Sequence, residues 1–135
     1  MAYKAGDITE ITFNHPTIGS GRLFPKANES GTIDRGGFRN NDDANQIAGD
    51  GQMIIQKNRV RGSFEIPIAW DMVSADEQQK LVNLANEAEP ADWTITSISG
   101  AVWAERGIPV GDLQADTNTG IMTLKIAFEN ELRVI

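Results

Sequence analysis

The chain has 135 residues, inside the ~100–150 range of a single domain, and its 40% hydrophobic and 23% charged content predicts one packed core and excludes wholesale disorder. Nineteen Asp and Glu against 12 Lys and Arg give a formal charge of -7, the wrong sign for a protein that grips phosphates by neutralising them. The absence of Cys excludes a disulfide framework, a thiolate metal site and a cysteine nucleophile, and with neither a secretory signal in residues 1–7 nor ~18 uninterrupted apolar residues the chain is expected to be made in the cytoplasm and stay soluble.

Residues 7–13 are rich in β-branched side chains, with Ile11 and Phe13 on one face, and predict an N-terminal strand. His15-Pro16 then biases the backbone toward a turn, punctuated by Gly19 and Gly21. From 22 to 52 the character changes: Asn, Asp, Ser and Gly crowd the segment, and Leu23, Phe24, Ile33, Phe38 and Ile47 are scattered through it as docking points rather than a core stripe. A stretch so polar and glycine-rich predicts a long loop, and a structureless loop of about 30 residues in a compact domain usually signals function or partner-dependent order.

Two strands are predicted next, over 53–60 and 62–70. In the second, Phe64, Ile66, Ile68 and Trp70 alternate with Ser63, Glu65, Pro67 and Ala69. Pro67 has no amide proton, so this strand is either an edge or bulged there. Ser74-Ala75-Asp76-Glu77 has the pattern of a capping box and predicts a helix starting at Ser74, with Leu81, Leu84, Ala85 and Ala88 on its apolar side and Pro90 stopping it. Strands are predicted over 93–98, 101–106, a short piece around 109–113, and 119–128, where Met122, Leu124, Ile126 and Phe128 alternate with Ile121, Thr123, Lys125 and Ala127. Gly100 and the run Asp116-Thr117-Asn118-Thr119-Gly120 supply turns. The order predicts a single, mainly β domain spanning 1–135, an antiparallel sandwich or partly closed barrel with one flanking α-helix and a long polar loop.

No catalytic set emerges. His15, the one histidine, precedes proline and reads as a turn residue rather than a general base or metal ligand. Asn41-Asp42-Asp43-Ala44-Asn45 fails the calcium-loop pattern, since counting from Asp43 the fifth position is Ile47 and the sixth Ala48. Gly19-Ser20-Gly21 and Gly49-Asp50-Gly51 lack a phosphate-binding lysine and a following helix, and both read as turns. The expectation is therefore a non-enzyme with no cofactor and no metal. Lys57, Arg59 and Arg61 stand at alternate positions of a strand, with Arg35 and Arg39 upstream. They form either an ion-pair seam against an acidic neighbour subunit or a plain solvated face. Phe24, Ile33, Arg35, Phe38, Arg39, Lys57, Arg59 and Arg61 are the candidate subunit-interface residues.

The stretches Gly31-Thr32-Ile33-Asp34-Arg35-Gly36-Gly37-Phe38 and Asn40-Asn41-Asp42-Asp43-Ala44-Asn45-Gln46, the strand ending at Trp70-Asp71, the capped helix and the terminal strands give a chain that resembles small bacteriophage tail tube proteins, relatives of the needle subunit of type VI secretion systems. The resemblance implies hexameric rings stacked into a hollow tube in the virion tail, through which DNA passes into the host without specific binding. It also implies contacts with other tail proteins: tape measure, baseplate, terminator and, in a contractile tail, a sheath. No membrane partner is expected. The alternative from a different class is a small soluble β-rich binding module that recognises its ligand with the 22–52 loop.

Overall fold

The computed structural model describes residues 5–25, 31–40, 45–71, 73 and 76–135. In chain order the elements are β1 (Ile8–His15), β2 (Gly19–Leu23), β3 (Thr32–Asp34), β4 (Gly37–Asn40), β5 (Gln46–Ile47), β6 (Met53–Ile54), β7 (Lys57–Val60), β8 (Ser63–Ala69), α1 (Asp76–Asn86), β9 (Ala91–Ser97), β10 (Val102–Pro109), β11 (Ala115–Asp116), β12 (Ile121–Phe128) and β13 (Arg133–Val134). The chain is mainly β, with one large antiparallel sheet and, among the described residues, a single helix. The sheet runs β2-β1-β9-β10-β12-β8-β3, with β11 added beside β12 and β13 beside β10.

Two alternating patterns place the core. In β1 the period of two buries Ile11 and Phe13, and the register sets Ile11 opposite Leu23 on one side and Ile95 on the other. Phe13 faces Gly21 and Trp93, and its ring occupies the space that a Gly21 side chain would need, since a Cβ there would come within 2.5 Å of it. Phe13 and Trp93 also meet as a tilted pair with centroids 5.3 Å apart. In the second half of the sheet the buried pairs are Phe64 with Ile126, Ile66 with Leu124, and Ile68 with Met122. These side chains form one hydrophobic cluster with Leu23, Leu81, Leu84, Phe128 and Leu132.

A bend brings the halves together. β10 pairs with β9 through residues 102–107 but with β12 only at Gly107, Ile108 and Pro109. Gly107 sits at this corner, where a Cβ would come within 2.6 Å of the Ala127 carbonyl oxygen, so the two strands can cross closely. At the far side the chain beyond β2 reaches β8: the Ala69 amide donates to the Phe24 carbonyl at 2.8 Å and Pro25 bridges to Ile68. The sheet is thus joined at that end and open at the other, a partly closed arrangement of the predicted class. Ladder alternation puts the missing amide proton of Pro67 on the same side as the Ala69 amide, away from β12 and beyond Thr32, where β3 begins opposite Glu65. Neither option for Pro67 holds: β8 is an interior strand with an unbroken register to β12, and the missing amide proton falls in the gap between the Thr32 end of β3 and the Pro25 bridge.

Several boundaries differ from the pattern-based expectation. Gly19-Ser20-Gly21 is not a turn but the start of β2; the turn lies before it, at residues 16–18. The predicted strand over 53–60 is two short strands, broken at Ile55 and Gln56. The short piece expected around 109–113 is absent: Pro109 ends β10, and the small strand is β11 at Ala115–Asp116. Helix α1 packs into the core through Leu81 and Leu84, both fully buried, and Gln78 Nε2 donates to the Leu113 carbonyl at 2.8 Å, whereas Ala85 and Ala88 are exposed. Ser74 of the expected capping box lies outside the described residues, as do Asn41-Asp42-Asp43-Ala44. His15 is not a loop residue at all; it ends β1 and is buried.

Candidate subunit interface

The segment expected to be one structureless loop over 22–52 carries short strands. β3 joins the large sheet at β8, and Ile33 packs there against the chain's own core. The polar pattern hid this because a three-residue edge strand leaves too short an alternation to read. Beyond β3, β4 pairs only with β7 and β5 only with β6. Together they make of the described residues 37–40 and 45–60 a hairpin arm. Its tip is a tight turn in which the Gly51 amide donates to the Ala48 carbonyl at 2.9 Å and the Gln52 amide to Asp50 Oδ1 at 3.0 Å, with Gly51 at φ 86°.

The root of the arm is fixed to the body. The Leu132 amide donates to the Arg35 carbonyl at 2.8 Å, and the Arg35 guanidinium returns bonds to the Leu132 carbonyl from Nη2 at 3.1 Å and Nε at 3.3 Å. Glu131 lies 3.7 Å from the same guanidinium. Gly36, at φ 78°, and Gly62 let the two limbs cross: a Cβ on Gly36 would come within 2.5 Å of the Val60 carbonyl oxygen. Gly62 is held on both sides, its amide donating to Asn130 and its carbonyl accepting from Phe128.

Outward from the root the arm is strongly exposed. Phe38 is 71% exposed, Ile47 79%, Met53 56%, Ile54 51% and Ile55 55%, so the arm holds five of the eleven large exposed apolar side chains among the described residues. Phe38 stands opposite Arg59 in the β4–β7 ladder, with the guanidinium 5.9 Å from the ring centroid. Arg39 pairs with Asp34, and Lys57, Arg59 and Arg61 pair with no carboxylate among the described residues. Residues 37–60 hold three of the 12 cations (Arg39, Lys57, Arg59) and three of the 19 carboxylates (Asp42, Asp43, Asp50), so the arm is neutral in a chain of -7, with Arg35 and Arg61 flanking it at the root. Phe24, half exposed, lies away from the arm beside β8, under the Arg22 guanidinium at 5.5 Å.

Of the eight predicted interface residues, the arm therefore groups Phe38, Arg39, Lys57 and Arg59, with Arg61 just beyond its last strand and Arg35 at its root. Ile33 and Phe24 belong to the body. Met53, Ile54 and Ile55 were missed by sequence reasoning because they fall at the start of the strand predicted over 53–60; three consecutive apolar residues break the period of two and were the available signal. His15 is engaged internally, with Nδ1 accepting from the amides of Thr17 and Ile18 and Nε2 donating to the Glu89 carbonyl at 2.9 Å. No protein-family model matches the chain, and no curated protein matches it.

Proposed function

We propose that this chain is a non-enzymatic structural subunit of a bacteriophage tail tube, closing into hexameric rings that stack into a hollow conduit for DNA. One observation carries the reading: a rooted hairpin arm exposes Phe38, Ile47, Met53, Ile54 and Ile55 to water while its strands pair only with one another. A lone two-stranded ribbon has little independent stability and exposed apolar side chains favour burial, so the arm gains most by lying on another subunit. The exposed arm and the body it would lie on are unlike surfaces, and head-to-tail contact of unlike surfaces generates rings and helices rather than closed two-fold dimers. The acidic body also suits a conduit for DNA, because like charge keeps phosphates from adhering to the wall.

Purified protein concentrated and viewed by negative-stain electron microscopy tests the proposal. Rings or tubes of uniform diameter are the expected result, with size-exclusion chromatography showing species far larger than 14.7 kDa. A strictly monomeric protein at high concentration, with no annular particles, overturns it.

A further inference from the structure

The two ends of the β8–β12 ladder differ in charge. Ser63 and Ala127 mark the end where the arm is rooted; Ala69 and Ile121 mark the other, about 20 Å away at the ~3.3 Å per residue of a strand. At the rooted end Lys57 and Arg59 share one face of the β4–β7 ribbon with Phe38, which stands opposite Arg59. Arg61 follows just beyond β7 and joins Arg59 in a groove of about 280 Å³ with Glu129 and Asn130. Lys57, Arg59 and Arg61 are exposed, and none is paired with a carboxylate among the described residues; Glu129 makes no ion pair there either, and Glu131 is taken by Arg35 at 3.7 Å.

The far end is acidic. The Trp70 amide donates to the Gly120 carbonyl at 2.8 Å and Gln78 Nε2 to the Leu113 carbonyl at 2.8 Å, and these bonds bring the exposed Asp71, Asp76, Asp112 and Asp116 to one end of the molecule. Of the described cations nearby, Arg22 is taken by Glu10 and Lys125 stands farther along β12 opposite Glu65, which leaves Lys80 of α1. Asp116 borders a groove of about 370 Å³ with Gln114, Thr119, Ile121 and Thr123. A volume of ~150 Å³ already admits a benzene-sized group, so a planar guanidinium and its stem fit here.

We propose that the face of Phe38, Arg59 and Arg61 docks on the Asp112–Asp116 end of a second copy, with a guanidinium in the groove beside Asp116. The inference rests on the tube reading above and names its stacking contact. A surface whose complement lies at the opposite end of an identical molecule adds copies in an open series, which is stacking rather than ring closure. Arginine suits the contact, because its fork meets a carboxylate in two parallel bonds, and Phe38 beside it keeps water from them. The chain's charge of -7 disfavours a nucleic acid as the occupant.

Reversing either end should break the contact, and mixing the two reversals should remake it. Arg59→Glu with Arg61→Glu leaves both ends acidic; Asp112→Lys with Asp116→Lys leaves both basic. Each double variant alone should need at least tenfold more protein to form tubes in low salt, by sedimentation and negative-stain microscopy, whereas their equimolar mixture should assemble within about threefold of the parent's concentration. Double variants that assemble like the parent, or a mixture no better than its components, overturn the inference and leave the tube reading intact. A parent protein that never assembles overturns both. Retention of a ~30-nucleotide oligothymidine by the parent and its loss in the arginine variant, with tubes unchanged, makes the face a nucleic-acid site and also overturns the inference. Circular dichroism checks each fold. Because Asp116 holds its own turn, Asp112→Lys alone covers a misfolded double variant: it should raise the assembly concentration, and no change overturns the contact.

Discussion

His15 ties together pieces of backbone remote in sequence. Its Nδ1 gathers the amides of Thr17 and Ile18 into the β1–β2 turn, and its Nε2 reaches the carbonyl of Glu89, between α1 and β9. The ring is 1% exposed, so removing it strands two donors and an acceptor in a poorly hydrated place. His15→Leu should therefore lower folding stability by about 2–3 kcal/mol, read as a shift in the urea midpoint at constant slope. Asp116 works in a similar way at the surface. Its carboxylate accepts from the amides of Asn118 and Thr119, and these bonds hold its pKa below the ordinary 3.8. A depressed carboxyl pKa stabilises the fold above the unfolded-state value and loses that contribution as pH falls through the folded-state value. Asp116→Asn keeps an acceptor but removes the titration, so the difference in stability between variant and parent should change with pH below about 4 and be flat above it, as measured by denaturation at successive pH values.

β8 and β12 are the elements most directly legible in the sequence. Each has a long, unbroken alternation, and the structure pairs them from Ala69 opposite Ile121 to Ser63 opposite Ala127. Phe64 and Leu124 are buried at 2% and 0% exposure, and replacing either with Ala should cost roughly 2–5 kcal/mol by leaving a cavity, measurable as a lowered thermal midpoint. The helix was legible for the same reason, since Leu81 and Leu84 recur at helical spacing. What escaped the sequence were elements whose reason for existing is elsewhere in the chain. β2 looks like glycine punctuation until Phe13 is seen lying over Gly21, and β3 is a three-residue strand made only because β8 offers an edge. The arm escaped for a further cause: its charged and apolar side chains were individually visible, but that 37–60 form one hairpin depends on the crossing at Gly36 and Gly62, a backbone contact with no periodic signature. Gly36→Val should strain that crossing and loosen the arm, seen as faster proteolysis within 37–60 while the body remains protected.

Over the whole molecule, body and arm are separable in energy. Replacing residues 38–59 with an Asn-Gly turn between Gly37 and Val60 should yield a folded monomer, since the core cluster contains no arm residue, and that monomer should form no tubes at any accessible concentration. Electron microscopy and circular dichroism read the two halves of that outcome. Reversing charge with Arg59→Glu should slow assembly at low ionic strength, with the defect shrinking near 1 M salt, where the screening length falls to ~3 Å. The strand order carries one more implication. β1 pairs with β9, so residues 8–15 wait for residues 91–97 before the sheet can form, and such distant pairings place folding on the slow side, in the millisecond to second range. On the proposed reading, assembly then waits on folding: a copy whose sheet has not closed has no finished surface to offer.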